Sequence, residues 1–594
     1  MENLNVLKGG EFLVKESKAS EIFISEEYSE EQKMMAETCN DFLQTEVFPI
    51  LGKIDSMEPG LMRNLVTKAG ELGLLGISVP EEYNGFGQSF VTSMLCSEVL
   101  GAGYSFAVAY SAHTGIGTLP ILYYGTEEQK QKYLPKLATG EWAASYCLTE
   151  PNAGSDANSG KTKAVLSEDG KYYILNGQKM WITNGGFADV LTVFAKIDND
   201  KILSTFIVER SFPGVTFNTE EKKMGIKGSS TVQIFFNDCK VPVENLLGKR
   251  GEGFRIALNI LHIGRIKLGG NVLGAAKLTT TQSVNYANER KQFGNLISTF
   301  GAIKYKLAEQ VIRTFVTESA VYRTSKYVDD TIHNHIEQGM DKGKAYLEAI
   351  GQYAIEAAVL KVLGSESLDY IVDEGVQIFG GMGYSAEMPV DRAYRDSRIN
   401  RIFEGTNEIN RMVIVDNVMK FGKKVGSELF PKAKEIYESI DNMHENATNK
   451  IDYFEKMHNY ILNFKKATLL LYYRFNETLG KQYTSEQEIM KHLADMTINL
   501  FAAESVLLRI EKLNDIKGCN NNCIYKNILE VYIYEAAANI FKSGCDAINS
   551  FSNEEEYNKL HKALQHLTKL EPVNIKDARR KIADKLIEDN KYNF

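Results

Sequence analysis

The chain has 594 residues, of which 44% are apolar and 24% are charged. This is the composition of an ordinary folded protein, and the length calls for several cores rather than one. The formal net charge of −9 argues against nucleic acid as the main partner, although a local basic patch could still hold a nucleotide.

Targeting signals and metal motifs are not visible in the sequence. The N-terminus is acidic and polar, unlike a signal or transit peptide. The seven cysteines lack the pairing of a disulfide framework, which indicates a reducing compartment. Cys519 and Cys523 have no histidine or second cysteine pair nearby, so we expect no metal site. We expect a cytoplasmic protein if the source is bacterial, or a mitochondrial-matrix protein if it is eukaryotic.

The hydrophobic spacing divides the chain into five parts. Residues 1–28 predict a surface arm, and helical spacing over 29–145 predicts an N-terminal α-helical domain. A period of two over 146–247 predicts a small middle β-domain, either a barrel or a sandwich. Helical periodicity returns over 248–425 as a C-terminal bundle and continues over 430–594 as an additional helical domain. The predicted fold class is therefore α+β, mainly α.

Two helical stretches suggest contacts with other molecules. The small residues of 112–118, among them Gly115 and Gly117, could leave room for a long ligand, whereas His113 is expected to be a core or capping histidine. The aromatic and basic stretch 460–475 could lie on a bilayer, although a helix packed on its own protein is the commoner outcome.

The residues around Glu404 make it a candidate for a catalytic base. It follows Ile402 and Phe403 and precedes Gly405 and Thr406, a residue suited to cap the next helix. A carboxylate among apolar groups has a raised pKa, which makes it a stronger base near neutral pH. The free N–H groups of a helix start also suit an anionic or carbonyl-bearing ligand. From the local sequence alone, a surface glutamate is the commoner alternative.

Five segments, taken together and in this order, resemble the motifs of the acyl-CoA dehydrogenase family. They are YCLTEPNAGSD at 146–156, KMWITNG at 179–185, ERKQFG at 289–294, QIFGGMGY at 377–384 and RIFEGTNEINR at 401–411. The additional helical domain resembles that of the family's very-long-chain type. The sequence contains no strand-linked Gly-x-Gly-x-x-Gly motif, so a Rossmann dinucleotide site is not expected.

The resemblance implies FAD as the cofactor. Trp181 and Thr183 are expected against the flavin ring. Arg290, which alone would be a solvated helix residue, is expected at the pyrophosphate, because a guanidinium fork matches a diphosphate. Gln377 and Gly381 are expected to reach the partner's FAD across a dimer interface. The full set of implied cofactor residues is Tyr146, Leu148, Thr149, Ser155, Trp181, Thr183, Arg290, Phe293, Gln377, Gly381, Thr406 and Glu408.

The resemblance also implies the reaction. Glu404 would act as the catalytic base that introduces a trans double bond between Cα and Cβ of a long-chain acyl-CoA, in fatty acid β-oxidation. The implied substrate contacts are Ser155, His262 and Arg265, of which His262 departs from the acid that medium-chain relatives carry. An acid at position 404 counts against an isovaleryl-type enzyme.

The implied partners are an electron-transfer flavoprotein and a second copy of the chain in a homodimer, with possible peripheral membrane contact through the C-terminal domain. Three alternatives remain open. The same fold could serve an acyl-CoA oxidase that returns electrons to oxygen, or an assembly factor with little activity. The C-terminal helices could also be a partner-docking module on an active enzyme.

Overall fold

The architecture was obtained as a computed structural model that describes residues 4–442, 452–518 and 523–594. Cys519 and residues 1–3 of the predicted arm lie outside the described residues. Elements of the same type cluster along the chain, as the periodicity indicated: helices, then a sheet, then long helices to the C-terminus.

The N-terminal segment lies deeper than a surface arm. Its Phe12 is buried and packs on the ring of Phe501, with centroids 4.8 Å apart. The N–H of Gly10 donates to Glu356 at 2.8 Å, and the ammonium of Lys465 donates to a carbonyl of the segment at 2.7 Å. The segment therefore runs between the helical bundle and the C-terminal helices and contacts both.

The first part of the chain is helical, and its helix α4 is apolar and buried along nearly its whole length. These helices are α1 Glu30–Phe42, α2 Leu51–Asp55, α3 Leu61–Glu71, α4 Phe90–Leu100, α5 Ser105–Ser111, α6 Leu119–Tyr124 and α7 Glu127–Ala138. Between α5 and α6 the small residues form a π-helical turn over Ala112–Gly117. Wide turns of this kind often mark functional sites.

The middle of the chain forms an open sheet. Its strands are β1 Ala144–Cys147, β2 Lys163–Leu166, β3 Tyr172–Thr183, β4 Val190–Ile197, β5 Ser204–Glu209, β6 Val215–Phe217, β7 Thr231–Pro242 and β8 Leu246–Leu247. The order is β6-β7-β3-β2-β4-β5-β8, and β1 joins β4 in parallel. The two ends of this order, β6 and β8, do not pair with each other in the described chain. The barrel alternative is therefore wrong, because the sheet is not closed.

A bulge in β3 is the feature of the sheet that matters for function. The register against β7 shifts between Lys179 and Ile182, and an extra residue in one strand re-aims a side chain. Trp181 in this bulge has a φ of 60° and is 53% exposed. The sheet thus presents an indole to the outside.

Long helices form the bundle behind the sheet. The bundle elements are α8 Gly253–Glu289, β9 Lys291–Gln292, β10 Asn295–Leu296, α9 Gly301–Glu337, α10 Lys342–Gln352, α11 Ala354–Phe379, α12 Pro389–Ser397 and α13 Asn407–Gly422. α8 and α11 pack along much of their length. Near their C-terminal ends, the rings of Tyr286 and Phe379 stack with centroids 4.1 Å apart.

The C-terminal helices pack on this bundle. They are α14 Leu429–Ser439, α15 Tyr453–Leu479, α16 Gln487–Lys517, α17 Ile524–Phe551, α18 Glu554–Leu567 and α19 Ile575–Asp589. α15 buries its apolar residues among α14, α16 and α17, so the stretch 460–475 packs on its own protein. Arg323 of α9 and Glu504 of α16 form a buried ion pair at 2.6 Å. Within the described ranges, no helix is long and apolar enough to span a membrane.

Candidate active site

The segment that carries Glu404 joins α12 to α13. After α12 a 3₁₀ turn covers Arg398–Arg401, and α13 begins three residues beyond Glu404. The Thr406 hydroxyl accepts the N–H of Ile409 at 3.2 Å. The predicted helix cap is therefore confirmed, and it fixes where the segment ends.

Glu404 has an unusual backbone. Its φ is 59°, and that of Gly405 is 85°. The left-handed region suits glycine but strains a residue with a long side chain, at a cost of about 1–3 kcal/mol. Arg265 of α8 holds this conformation, because its Nε donates to the carbonyl oxygen of Glu404 at 3.0 Å.

The carboxylate of Glu404 points into the protein. Its Oε2 is buried and has no hydrogen-bond partner in the described part of the chain. Burial raises the pKa of Glu404 to about 7, against the opposing charges of Arg265 and Lys361. A Cβ on Gly264 of α8 would lie 2.8 Å from Oε2. The absence of a side chain at Gly264 thus makes the room that the carboxylate occupies.

A cavity opens beside Glu404 and extends along α8. Its lining residues on α8 run from Ile263 to Thr279, a distance of about 24 Å along the helix axis. Most of the lining is apolar or small. Gly115 of the π-helical turn borders the cavity, whereas a Cβ on Gly117 would meet the side chain of Ala144 at 2.8 Å. Of the two glycines, only Gly115 therefore gives room to a ligand in the cavity.

His113 is a structural residue, as predicted. It is fully buried, its Nε2 lies 2.9 Å from the carbonyl oxygen of Leu137, and its Nδ1 accepts the N–H of Ala144 at 3.0 Å. Burial lowers its pKa to about 4. A neutral imidazole with both nitrogens engaged has no free group for catalysis.

Two of the predicted flavin motifs meet between β1 and β3. The N–H of Met180 donates to the carbonyl oxygen of Thr149 at 2.9 Å, and Lys179 donates to that of Leu148 at 3.2 Å. Thr183 lines the cavity, and Trp181 projects from the same strand. Thr183 thus lies in the lining of the cavity that Glu404 borders, and the exposed indole of Trp181 stands two residues earlier on the same strand.

The other predicted cofactor residues near this end of the chain's bundle differ in how exposed they are. Tyr146 is buried, and its pKa is raised well above the ordinary value by burial and then by the charge of Glu404. Ser155 is exposed in the loop that follows. Glu408 is exposed in the first turn of α13, where its own backbone N–H and then the Thr406 side chain lower its pKa.

The remaining predicted cofactor residues gather at another end of the bundle. Arg290 and Phe293 follow α8, Gln377 and Gly381 lie at the end of α11, and the Tyr286–Phe379 stack brings these ends together. All four are exposed, Phe293 to 92%. The distance along α8 from Gly264, beside Glu404, to Tyr286 is about 33 Å. The chain therefore forms two separate groups of predicted FAD residues.

The predicted substrate residues of α8 lie behind Glu404. Arg265 is 4% exposed and binds the main chain of Glu404, as described above. Its Nη1 is 3.4 Å from Nδ1 of His262. Burial and this guanidinium lower the pKa of His262 to about 3, so the imidazole is neutral. This placement favours support of Glu404 over direct contact with a ligand.

Lys361 is a site residue that the sequence analysis missed. It is fully buried in α11, and its Nζ donates to Oδ1 of Asn407 at 2.5 Å. Burial lowers its pKa to about 7, and the charge of Glu404 opposes that shift. A signal was present, since Lys361 stands alone in the apolar run Val359, Leu360, Val362 and Leu363. Among the described residues no group of His, Cys, Asp and Glu has an arrangement suited to a metal ion.

Comparisons with known proteins agree on one family. Family models of acyl-CoA dehydrogenase match the N-terminal domain at 29–141, the middle domain at 145–239 and the C-terminal domain at 251–419. A further model, also described as the C-terminal domain of acyl-CoA dehydrogenase, matches residues 463–566. The additional helices are therefore part of a recognised family architecture.

Individual relatives cover the chain to different extents. The "Probable acyl-CoA dehydrogenase" of Bacillus subtilis is 42% identical over 590 residues, 99% of either chain. The very long-chain specific acyl-CoA dehydrogenase, mitochondrial, of Rattus norvegicus is 44% identical over 366 residues, which is 60% of this chain and 53% of that one. The crystal structure of an acyl-CoA dehydrogenase complexed with FAD from Bacillus anthracis is 44% identical, with a TM-score of 0.96 over 99% of this chain and 100% of that one.

Proposed function

The chain belongs to the acyl-CoA dehydrogenase family of oxidoreductases that act on CH–CH groups, and we propose that it oxidises long-chain acyl-CoA to trans-2-enoyl-CoA. The observation that carries this proposal is the position of Glu404 beside a long apolar cavity. Its backbone is strained, and its buried Oε2 has no hydrogen-bond partner in the described part of the chain.

Glu404 is the base that removes the α-proton of the acyl thioester. A carboxylate with a pKa of about 7 holds a proton more strongly than an ordinary glutamate and is still ionised in part at neutral pH. Arg265 fixes the main chain of the base, so the carboxylate is aimed before substrate arrives. The apolar walls exclude water and keep the carboxylate desolvated.

FAD is the cofactor, and when bound it accepts the β-hydrogen as hydride. Trp181 and Thr183 would hold its ring, because an exposed indole in a strand bulge offers a flat face on the strand that also carries Thr183 to the cavity. The guanidinium of Arg290 suits the pyrophosphate. Since Arg290 lies beyond Tyr286, which is itself about 33 Å along α8 from Gly264, we assign it to the FAD of a second copy of the chain. The functional form would then be a homodimer.

The long-chain preference rests on the length of the cavity. An extended chain advances ~1.2 Å per bond, so the 24 Å that the cavity follows along α8 correspond to on the order of 20 carbon–carbon bonds. Gly115, Ala275 and other small residues keep this path open. A fatty acyl chain of the palmitoyl class would fill such a path, whereas a butyryl chain would leave most of it empty.

An electron-transfer flavoprotein is the acceptor that we propose. The acyl-CoA oxidase alternative predicts rapid hydrogen peroxide formation without added acceptor, and the assembly-factor alternative predicts a stable complex with negligible turnover. The placement of Glu404 favours turnover, because a protein that serves only as a scaffold has no need for an unpaired buried carboxylate.

An anaerobic titration tests the proposal. Palmitoyl-CoA is added to the purified flavoprotein, and the absorption band of oxidised flavin is followed in the wild type and in Glu404→Gln. We expect bleaching in the wild type and none in the variant, with equal flavin content. Equal bleaching in both would contradict the role of Glu404, and a purified protein without flavin would contradict the reaction class.

A further inference from the structure

A chain of polar contacts connects the C-terminal helices to the segment that carries the base. Its outer end is Asp495 of α16, whose Oδ1 accepts Nε of Arg411 at 2.7 Å. Arg411 belongs to α13, the helix that begins just after Glu404. Its two Nη atoms donate to the carboxylate of Glu366 of α11 at 2.8 and 3.0 Å. This is a bidentate pair, which fixes direction as well as distance.

The inner half of the chain of contacts is buried. Glu366 accepts Nδ2 of Asn407, the first residue of α13, at 3.0 Å. Asn407 in turn accepts Nζ of Lys361 at 2.5 Å, and it exchanges hydrogen bonds with Ser365. Lys361, Ser365 and Asn407 are all buried. The first residue of α13 is thus held by α11, and one turn later Arg411 pairs with both α11 and α16.

The charges that face Glu404 come from three elements. Arg265 and Lys361 favour its ionised form, and His262 stands beside Arg265 as a neutral imidazole. Tyr146 of β1 faces the carboxylate from the sheet. Glu366 and Glu408 act on the charge of Lys361, together with Glu404. Lys361 therefore belongs to the chain of contacts and also places a positive charge near Glu404.

We propose that Asp495 and Arg411 are positioning residues through which the C-terminal helices hold the segment of Glu404 in its reactive place, with Lys361 as the inner contact. This inference rests on the proposed role of Glu404 as the base. The additional helices thereby contribute to the reaction, because Asp495 of α16 supports Arg411 and the segment of Glu404.

The test uses the full-length flavoprotein and a matched control. Asp495→Asn removes the charge at the outer end, and Arg411→Gln removes the middle. Glu556→Gln is the control, because Glu556 forms an equally buried interhelical pair with Arg474 of α15 but does not touch α13. All variants are compared by hydrogen–deuterium exchange of the peptide 403–410 without substrate, and by the rate and pH profile of anaerobic flavin reduction with palmitoyl-CoA.

In Asp495→Asn, we expect the backbone amides of peptide 403–410 to exchange several-fold faster than in the wild type. We also expect flavin reduction to be about tenfold slower at saturating substrate. The palmitoyl-CoA concentration that gives half of the maximal reduction rate should be unchanged. The double variant should resemble Arg411→Gln alone, because both changes cut the same chain of contacts. Glu556→Gln should match the wild type in both measurements. Lys361→Gln keeps a donor for Asn407 but loses the charge, so it should move the pH midpoint of reduction upward without faster exchange.

Wild-type exchange or a wild-type rate in Asp495→Asn would overturn the inference, and so would equal losses in Glu556→Gln. Failure of the proposed function has a different signature. If Glu404→Gln reduces flavin normally, the role of the base is wrong whatever Asp495→Asn does. If Glu404→Gln is inactive and Asp495→Asn behaves as wild type, only the positioning role fails.

Discussion

Replacing Gly264 by alanine should separate stability from activity. The added Cβ would lie 2.8 Å from Oε2 of Glu404 and 3.0 Å from its Cδ. The carboxylate is the end of a flexible side chain, so it can move away by several tenths of an ångström. Because a misplacement of about 1 Å can cost a hundredfold in rate, we expect roughly a tenfold loss in the rate of flavin reduction.

The fold should not suffer from the same change. Gly264 lies inside α8, where alanine is favoured over glycine by about 0.5–1 kcal/mol. We therefore expect an unchanged or slightly higher melting temperature together with slower reduction. Gly351 of α10 provides the control, because a Cβ there would meet nothing within 4 Å. Gly351→Ala should gain stability and keep the wild-type rate.

Stopped-flow reduction with palmitoyl-CoA and thermal unfolding are the two assays. The reasoning is refuted if Gly264→Ala reduces its flavin at the wild-type rate, since the carboxylate would then tolerate displacement. It is also refuted if both alanine variants slow equally, because the loss would then not arise from contact with Glu404.

Three further predictions concern the same cavity. The rate of flavin reduction should rise as the pH increases through about 7, because Glu404, with a raised pKa of about 7, must lose its proton to act as a base; a flat stopped-flow profile would contradict this. Ala275→Phe should block the cavity beyond about 16 Å from Gly264, so steady-state turnover of palmitoyl-CoA should fall at least tenfold while that of butyryl-CoA is kept. Glu404→Gln should raise the melting temperature more at about pH 8 than at about pH 4, since the raised pKa of Glu404 means that stability is lost as the pH rises from the ordinary glutamate pKa to about 7. Equal gains at both pH values would show that the charge is not the cause.

The sequence was sufficient for the order of element types and for the local structure around Glu404. Thr406 was expected to cap α13, and it does so. The change from helical to alternating spacing placed the sheet correctly, but the spacing of single strands does not reveal whether the outer strands meet. The alternating pattern therefore could not distinguish a closed barrel from an open sheet. In the described structure, β6 and β8 do not pair with each other.

Burial was the property that sequence reasoning could not supply. α11 is apolar on most of its surface, so its pattern does not indicate which face is covered, and Lys361 could have been an exposed lysine. The N-terminal segment has too few residues for a periodic signal, yet Phe12 is buried against α16. The sequence motifs also gave no distance between Trp181 and Arg290, which depends on the length of α8 between the two groups.

Several local rules are broken together at Glu404, which argues for function independently of any resemblance. A long side chain adopts a left-handed backbone, a carboxylate oxygen is buried without a partner, and a lysine is buried nearby with a pKa near 7. Each of these features opposes folding, and simple substitutions at positions 404 and 361 would remove them. Elsewhere in the core, buried charges such as Arg323 and Glu504 are paired. Asp396 also borders the cavity and has one buried oxygen without a partner in the described chain, but its other oxygen accepts the N–H of Ile226. Glu404 adds a left-handed backbone to these features, at a place where a base for a carbon acid must be kept dry, aimed and incompletely satisfied.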